Sequence, residues 1–290
     1  MKNFLKRIIP QSLLDLIGSY LYLKNTGGIL VRPLRDAGAL IRWYWHIVTG
    51  TDIRFNTPDG TRFVSMPKNY SSFVVSFRDF RDPSIHAFMK RRLHDGSVFV
   101  DAGANIGTYA IRAGQLVGPS GTVLAVEAHP RTYRYLTQNI ALNNLHNVTP
   151  VPVALGAQSG SITISFTESN AGETHISTAE TDGVTIPMKT LDAPLEETHM
   201  HTVDYLKIDV EGFEFPLLQG AHRTIEQNEA IVVQTELIES HAQRYGHSIT
   251  EISDYLHALG LSPHSVDELG NAHTVDSRHM NGMDILWYRR

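Results

Sequence analysis

The period of the apolar positions changes once along this chain, near residue 95. Before it, Phe4, Leu5, Ile8 and Ile9, then Leu13, Leu14, Leu16 and Ile17, recur at helical spacing. The spacing predicts helices over about 11–24 and 35–48, the second carrying Trp43, Tyr44 and Trp45. The aromatic run is expected to fill a core rather than to stack on a sugar ring. Residues 52–56 and 61–66 alternate apolar and polar positions around Pro58-Asp59-Gly60, the pattern of a β-hairpin. A helix over about 83–93 is predicted to place Ile85, Phe88, Met89 and Leu93 on one face. Residues 1–95 are expected to form a cap or accessory region on a second domain at 96–290.

From Ser97 onward short apolar runs alternate with helical stretches. Strands are predicted at Ser97–Asp101, Thr122–Glu127, Val148–Val153, Val203–Asp209 and Ala230–Glu236, with helices at about 106–117, 131–144, 213–221 and 250–259. Near-continuous apolar strands separated by helices imply a parallel sheet covered on both faces. Residues 161–189, rich in Thr and Ser, read as an inserted β excursion, and residues 283–289 as a closing strand.

The segment VFVDAGANIGTYA (98–110) is a strand, a glycine loop and a helix start. In open α/β sheets ligands bind beyond the carboxyl ends of the strands where strand order reverses, and glycines there let backbone approach the ligand. A helix N-terminus is expected to add N–H donors. A dinucleotide fingerprint wants a second glycine where Asn105 stands, so a pyrophosphate would meet a side chain. No Gly-Lys-Ser/Thr follows, which excludes a phosphate-binding P-loop. S-adenosylmethionine carries no pyrophosphate and suits a carboxylate near the loop, here Asp101, and an acid at the end of the next strand. Glu127 stands there, twenty residues after Gly107, where it can accept both ribose hydroxyls.

In VDYLKIDVEGFEFPLLQGA (203–221), Lys207, Asp209 and Glu211 alternate, so an extended strand would point all three to one side. Three ionisable groups on one side of a buried strand are costly unless they line a site.

DAGANIG, VEAHP, NVTPVPVALGAQSGSITI and LKIDVEGFEFPLLQGA occur in the order and spacing of the FkbM-type methyltransferases, which this chain resembles over about residues 95–240. The resemblance implies a Rossmann-like class I α/β fold, S-adenosyl-L-methionine as cofactor, and a seven-stranded, mostly parallel sheet with an antiparallel last strand. It implies O-methylation of sugar or other secondary-metabolite hydroxyls. Carried over by motif, Asp101, Gly103, Asn105 and Gly107 resemble the methionine-side loop and Glu127 the ribose ligand. Ala154 and Leu155 stand, by position, where the adenine is bracketed. Asp209 matches a position that touches methyl donor or acceptor, and Glu236 an acid ending the fifth strand.

An alcohol acceptor needs a base or a metal to lower its pKa. Asp209, Glu211 and Glu236 are the carboxylate candidates, with Lys207 as electrostatic partner. Histidine is better matched to neutrality. Of His175, His199, His201 and His241, the last is preferred because it follows a strand end. A divalent ion on Asp209, Glu236 and a histidine is chemically reasonable but not favoured, since no H-x-x-x-H spacing occurs.

Composition narrows this picture. No cysteine is present, which removes disulfides, thiolate metal sites and cysteine nucleophiles. The net charge of −5 argues against an extended phosphate-binding surface, so a nucleic-acid partner is not expected. No apolar run reaches the 18–20 or so residues of a membrane span. Pro10, Gln11, Ser12 and Asp15 break up a signal-peptide pattern, and the expected location is the cytoplasm. The N-terminal amphipathic helix packs on the core or rests on a membrane surface, and a homo-oligomer would use it as a contact. The expected activity is methyl transfer to a sugar hydroxyl. The alternatives are another small-molecule O or N acceptor, a nicotinamide-dependent oxidoreductase, or a non-catalytic binding module.

Overall fold

A computed structural model describes residues 33–57, 59–77, 82–167, 170–176, 183–276 and 279–289. The helix expected over 11–24 lies outside the described residues. The chain forms two compact units, Met1–Arg81 with Glu168–Gly172, and Asp82–Thr167 with Glu173–Arg290.

In the first unit, helix α1 (Pro33–Thr49) precedes an antiparallel hairpin of β1 (Ile53–Asn56) and β2 (Arg62–Ser65), and helix α2 (Tyr70–Phe77) follows. The hairpin turn is held by Asp59, whose Oδ1 accepts from the Thr57 hydroxyl (2.6 Å) and the Thr61 N–H (3.1 Å). Trp43 fills the core as expected, its ring 5.2 Å from that of Phe73, with Leu40, Ile47, Tyr70 and Val74 around them. Trp45 does not share that role and is 59% exposed. His46 is buried, with Nε2 3.0 Å from the Ser65 hydroxyl and Nδ1 on the Thr51 carbonyl.

The second unit opens with α3 (Pro83–Arg92), started by the Asp82 cap and Pro83 in its first turn, and then builds the main sheet. Strand β3 (Val98–Ala102) leads through α4 (Thr108–Leu116) to β4 (Thr122–Val126), and α5 (Pro130–Leu142) leads to β5 (Val148–Val151). Strand β6 (Ala154–Leu155), β7 (Gly160–Thr167), β8 (Asn170–Ile176) and β9 (Val184–Lys189) form a separate four-stranded sheet in the order β6-β9-β7-β8, which is the expected β excursion. Helix α6 (Asp192–Glu197) returns the chain to β10 (Tyr205–Ile208). After α7 (Glu214–Gly220) and α8 (His222–Gln227) come β11 (Val232–Leu237), α9 (Glu239–Arg244), α10 (Ile249–Ala258), β12 (Ser262–Val266), β13 (Ala272–Thr274) and β14 (Met283–Tyr288).

The main sheet has the order β13-β12-β14-β11-β10-β3-β4-β5. Strands β5, β4, β3, β10 and β11 are parallel, and β14 runs antiparallel to β11 with Val233 opposite Trp287. The central strands are mostly apolar because helices bury both faces; Phe99, Val100, Leu124, Leu206 and Val233 are all fully covered. The mostly parallel α/β sheet with an antiparallel strand late in the chain agrees with expectation, but the strand count of seven is corrected to eight. The extra strand, β13, pairs antiparallel with β12 at the sheet edge through a turn over residues 267–271. The Asp267 carboxylate accepts there from the backbone N–H groups of Leu269 and Asn271 and from the Asn271 side chain, which hold its pKa well below the usual range. Neither SPHSV nor AHT has the apolar run of a buried strand, so the hairpin has no periodic signature. Among the described residues no helix is long and apolar enough to cross a membrane.

Candidate active site

Strand order reverses between β3 and β10: the chain proceeds from β3 through β4 to β5 on one side, and from β10 to β11 on the other. In open α/β sheets such a reversal marks the ligand-binding edge, at the carboxyl ends of the strands. Asp101 is the next-to-last residue of β3, and Lys207 lies directly opposite it on β10. Lys207 Nζ is 3.1 Å from Asp101 Oδ1 and 3.4 Å from Asp209 Oδ2, and it donates to the Gly103 carbonyl at 3.1 Å. Its ammonium also stands 5.0 Å from the centre of the Tyr109 ring, in cation–π range. Asp101 is fully buried and Lys207 3% exposed, whereas Asp209 keeps partial access to solvent. Burial pushes the Asp101 carboxyl above its ordinary value, and Lys207 opposes that shift.

Gly103 is required for this arrangement. Its φ is +79°, and a Cβ there would come within 1.9 Å of the Asp209 carbonyl oxygen. The loops after β3 and β10 thus touch backbone to backbone, at a separation no side chain permits.

Glu127 follows β4 and is buried. Its Oε2 accepts from the Asn105 N–H and its Oε1 from the His129 N–H, both at 2.8 Å. Burial raises its pKa to about 7, against the lowering effect of those two donors. Asn105 adopts φ +51° and its side-chain oxygen accepts from the Ile106 N–H at 2.9 Å, while the Gly107 N–H goes to the Ala104 carbonyl at 2.8 Å. The expected offer of N–H donors is therefore corrected at residues 105–107: the loop satisfies these amides itself. A pyrophosphate would need such donors, whereas a ribose needs a carboxylate acceptor, and each Glu127 oxygen retains a second lone pair.

The expectation that Lys207, Asp209 and Glu211 share one side of a strand is corrected for Glu211. Strand β10 ends at Ile208, and Glu211 takes φ +55° in the turn that follows. This swings Glu211 toward α9, where its Oε2 is 3.6 Å from His241 Nδ1. Gly212, at φ +104°, lets the turn settle on α9, since a Cβ there would lie 2.4 Å from the His241 carbonyl oxygen. Glu236 sits in β11 opposite Asp284 of β14. Ile208, the last residue of β10, is level with Thr235 of β11, so Asp209 follows the strand end as Glu236 follows Thr235.

Ala154 and Leu155 form β6 in the second sheet and are buried, Ala154 against Ile164 and Ile186 and Leu155 in the main core. His199 and His201 are exposed and precede the amino end of β10, whereas Asp101 and Asp209 lie at the carboxyl ends of β3 and β10. The His175 side chain lies outside the described residues. Among the described residues no three or more His, Asp or Glu gather as a metal site would need.

Sequence reasoning missed two groups. Glu214 is buried with Oε1 accepting from the N–H groups of Gly212 (3.0 Å) and Val210 (3.3 Å), so it fixes the turn carrying Glu211. Burial pushes its pKa to about 7. Its position three residues beyond Glu211, across a glycine, was the available signal. The second group is the chain Tyr205–Gln234–Asp284: Tyr205 donates to Gln234 Oε1 at 2.8 Å, and Gln234 Nε2 donates to Asp284 Oδ1 at 2.9 Å. Gln234 lies opposite Lys207 in the sheet, its Nε2 also 3.5 Å from the Tyr109 hydroxyl.

Comparison with known proteins finds methyltransferases. A curated relative described as methyltransferase 1, from Beauveria bassiana, is 29% identical over 150 residues, which cover 43% of this chain and 59% of that protein. The hexuronic acid methyltransferase AglP of Haloferax volcanii is 27% identical over 163 residues, covering 56% of this chain and 65% of that protein. The chain thus spans about six tenths of the length of these relatives. The solved methyltransferase FkbM of Methylobacillus flagellatus is 15% identical with a TM-score of 0.45, over 67% of this chain and 43% of that one. The family model for the methyltransferase FkbM domain matches residues 101–262, from the Asp101 strand end to β12, and the chain belongs to that family.

Proposed function

We propose that this protein is an S-adenosylmethionine-dependent O-methyltransferase, and that its acceptor is a sugar hydroxyl in a glycan or glycosylated metabolite. Family membership supports the reaction class, and the buried Glu127 carboxylate beside a loop whose amides are already spent carries the cofactor reading. The sugar acceptor draws support from the likeness to a hexuronic acid methyltransferase.

The residues fit the cofactor by their chemistry. Glu127 would accept the ribose hydroxyls, and the Asp101–Lys207 pair would fix the loop wall facing the methionine moiety. When bound, S-adenosylmethionine supplies a methyl group on a positively charged sulfur, open to in-line displacement. The protein's task is then to align the acceptor oxygen and remove its proton. Alignment of this kind can supply several kcal/mol of the barrier. Lys207 Nζ lies 3.4 Å from Asp209 Oδ2, and a carboxylate engaged in that ion pair suits orienting the acceptor hydroxyl more than serving as a strong base. The Glu211–His241 pair is the proposed base: the imidazole would accept the proton of the acceptor hydroxyl, and the Glu211 carboxylate, 3.6 Å away, would steady the resulting cation.

Calorimetry with S-adenosylhomocysteine, beside NAD, tests the cofactor reading. Micromolar binding of the former supports it; preferential binding of NAD overturns it. Mass spectrometry across glycans and sugar nucleotides, scoring the gain of one methyl group, then tests the acceptor. His241→Gln should lower turnover by roughly a hundredfold or more without weakening S-adenosylhomocysteine binding, and unchanged turnover would remove His241 from the proposed base.

A further inference from the structure

Helix α1 is apolar on two faces. One carries Leu40, Trp43 and Ile47 against α2. The other carries Ile41, Trp45 and Val48, spaced four and three residues apart and hence in one stripe, with exposures of 61%, 59% and 48%. An apolar stripe left in water on a helix whose opposite side already packs is costly and marks an interaction surface.

Charge says what covers it. Residues 1–81 contain twelve Lys and Arg against five Asp and Glu, a net charge of +7, while the other 209 residues carry −12. The net −5 of the whole chain conceals this asymmetry. Among the described residues of this unit, Arg42, Arg54, Arg62 and Lys68 are exposed, and Arg42 adjoins Ile41 in sequence. Of the two exposed acids in that part of the unit, Asp59 is engaged in its hairpin turn.

We propose that the Ile41–Trp45–Val48 face of α1 docks on an anionic lipid surface. An interfacial helix buries apolar side chains at the headgroup boundary, places tryptophan at that level, and draws affinity from flanking cations. Nucleic acid would use the cations too, but Ile41 and Val48 offer it neither stacking nor hydrogen bonds. The helix rests on the membrane without crossing it.

The chain holds three tryptophans, and Trp43 and Trp287 are buried, so an environment change at the stripe is read on Trp45 alone. The full-length protein is mixed with phosphatidylcholine vesicles with and without phosphatidylglycerol. Expected are flotation with the anionic vesicles only, a blue shift of Trp45 emission, and quenching by brominated acyl chains. The variant Ile41→Ser/Trp45→Ser/Val48→Ser should lose at least tenfold in partitioning while keeping the native circular dichroism. Arg42→Glu/Arg54→Glu, which leaves the stripe intact, should shift binding to lower salt. Failure of the wild type to float, equal flotation of the serine variant, or tighter binding to duplex DNA or RNA than to vesicles each overturns the proposal. So does light scattering that shows a dimer dissolved by the serine substitutions, because a second copy then covers the face.

Discussion

Replacing Lys207 by Met is expected to destabilise the protein strongly, and in a pH-dependent way. The Lys207 ammonium has Asp101 at 3.1 Å, Asp209 at 3.4 Å and the Gly103 carbonyl at 3.1 Å, and almost no water. Methionine preserves much of the volume but strands a carboxyl that has no solvent to fall back on. Removing one partner of a buried ion pair costs about 3–5 kcal/mol. Asp101 already has a raised pKa from burial, and loss of the cation raises it further. An acid whose folded pKa lies above its unfolded value contributes most stability below the unfolded value and loses it as pH rises through the folded one. The deficit of Lys207→Met should therefore be larger at pH 8 than at pH 5, shrinking as falling pH favours the protonated Asp101. Asp101→Asn removes the charge that Lys207 neutralises, so the double variant should be more stable than the sum of the single losses implies. Urea unfolding of all four proteins at both pH values gives the coupling energy. Additive losses within about 0.5 kcal/mol, or a deficit independent of pH, refute the reasoning.

Three further outcomes follow from the site. Gly103→Ala should cost about 2 kcal/mol or more and weaken S-adenosylhomocysteine binding, because both its φ and the 1.9 Å approach to Asp209 forbid a Cβ; denaturation and calorimetry read the two effects, and a neutral substitution contradicts the packing. Binding of S-adenosylhomocysteine should tighten between pH 6 and 8 as Glu127, at about 7, ionises to accept the ribose hydroxyls, by up to roughly tenfold per pH unit below that value; flat affinity in Glu127→Gln and slope in the wild type is the expected pair of calorimetric results. Glu214→Gln keeps an oxygen for the Val210 and Gly212 N–H groups and discards the charge, so its stability advantage should be absent at pH 4.5, grow through pH 7 and approach about 3 kcal/mol above it; an advantage that does not depend on pH contradicts the burial argument.

The parallel core was legible because its strands bury both faces and so write unbroken apolar runs, each followed by a helix. Asp101 and Glu127 were legible as acids at the ends of such runs. What periodicity within one strand cannot express is register between strands: the pairing of Lys207 with Asp101 comes from their facing positions on β10 and β3, 106 residues apart in sequence. Glu211 was misplaced because alternation assumes an extended chain, and the turn to φ +55° ends it. The eighth strand escaped because an exposed edge hairpin needs turn chemistry more than apolar residues. The two tryptophans of α1 part company for a similar reason: a shared helix predicts a shared environment only for positions on the same face.

The contact of Gly103 with the Asp209 carbonyl bears on how this protein can diversify. The loop that would hold the donor and the loop that would greet the acceptor abut with no side chain between them, so neither can be remodelled alone. New acceptor preferences are consequently expected from parts that do not meet at this junction, such as the β7–β9 excursion and the chain after α9. A library built on those segments should yield altered substrates at intact donor affinity, while one built on residues 209–212 should lose both together.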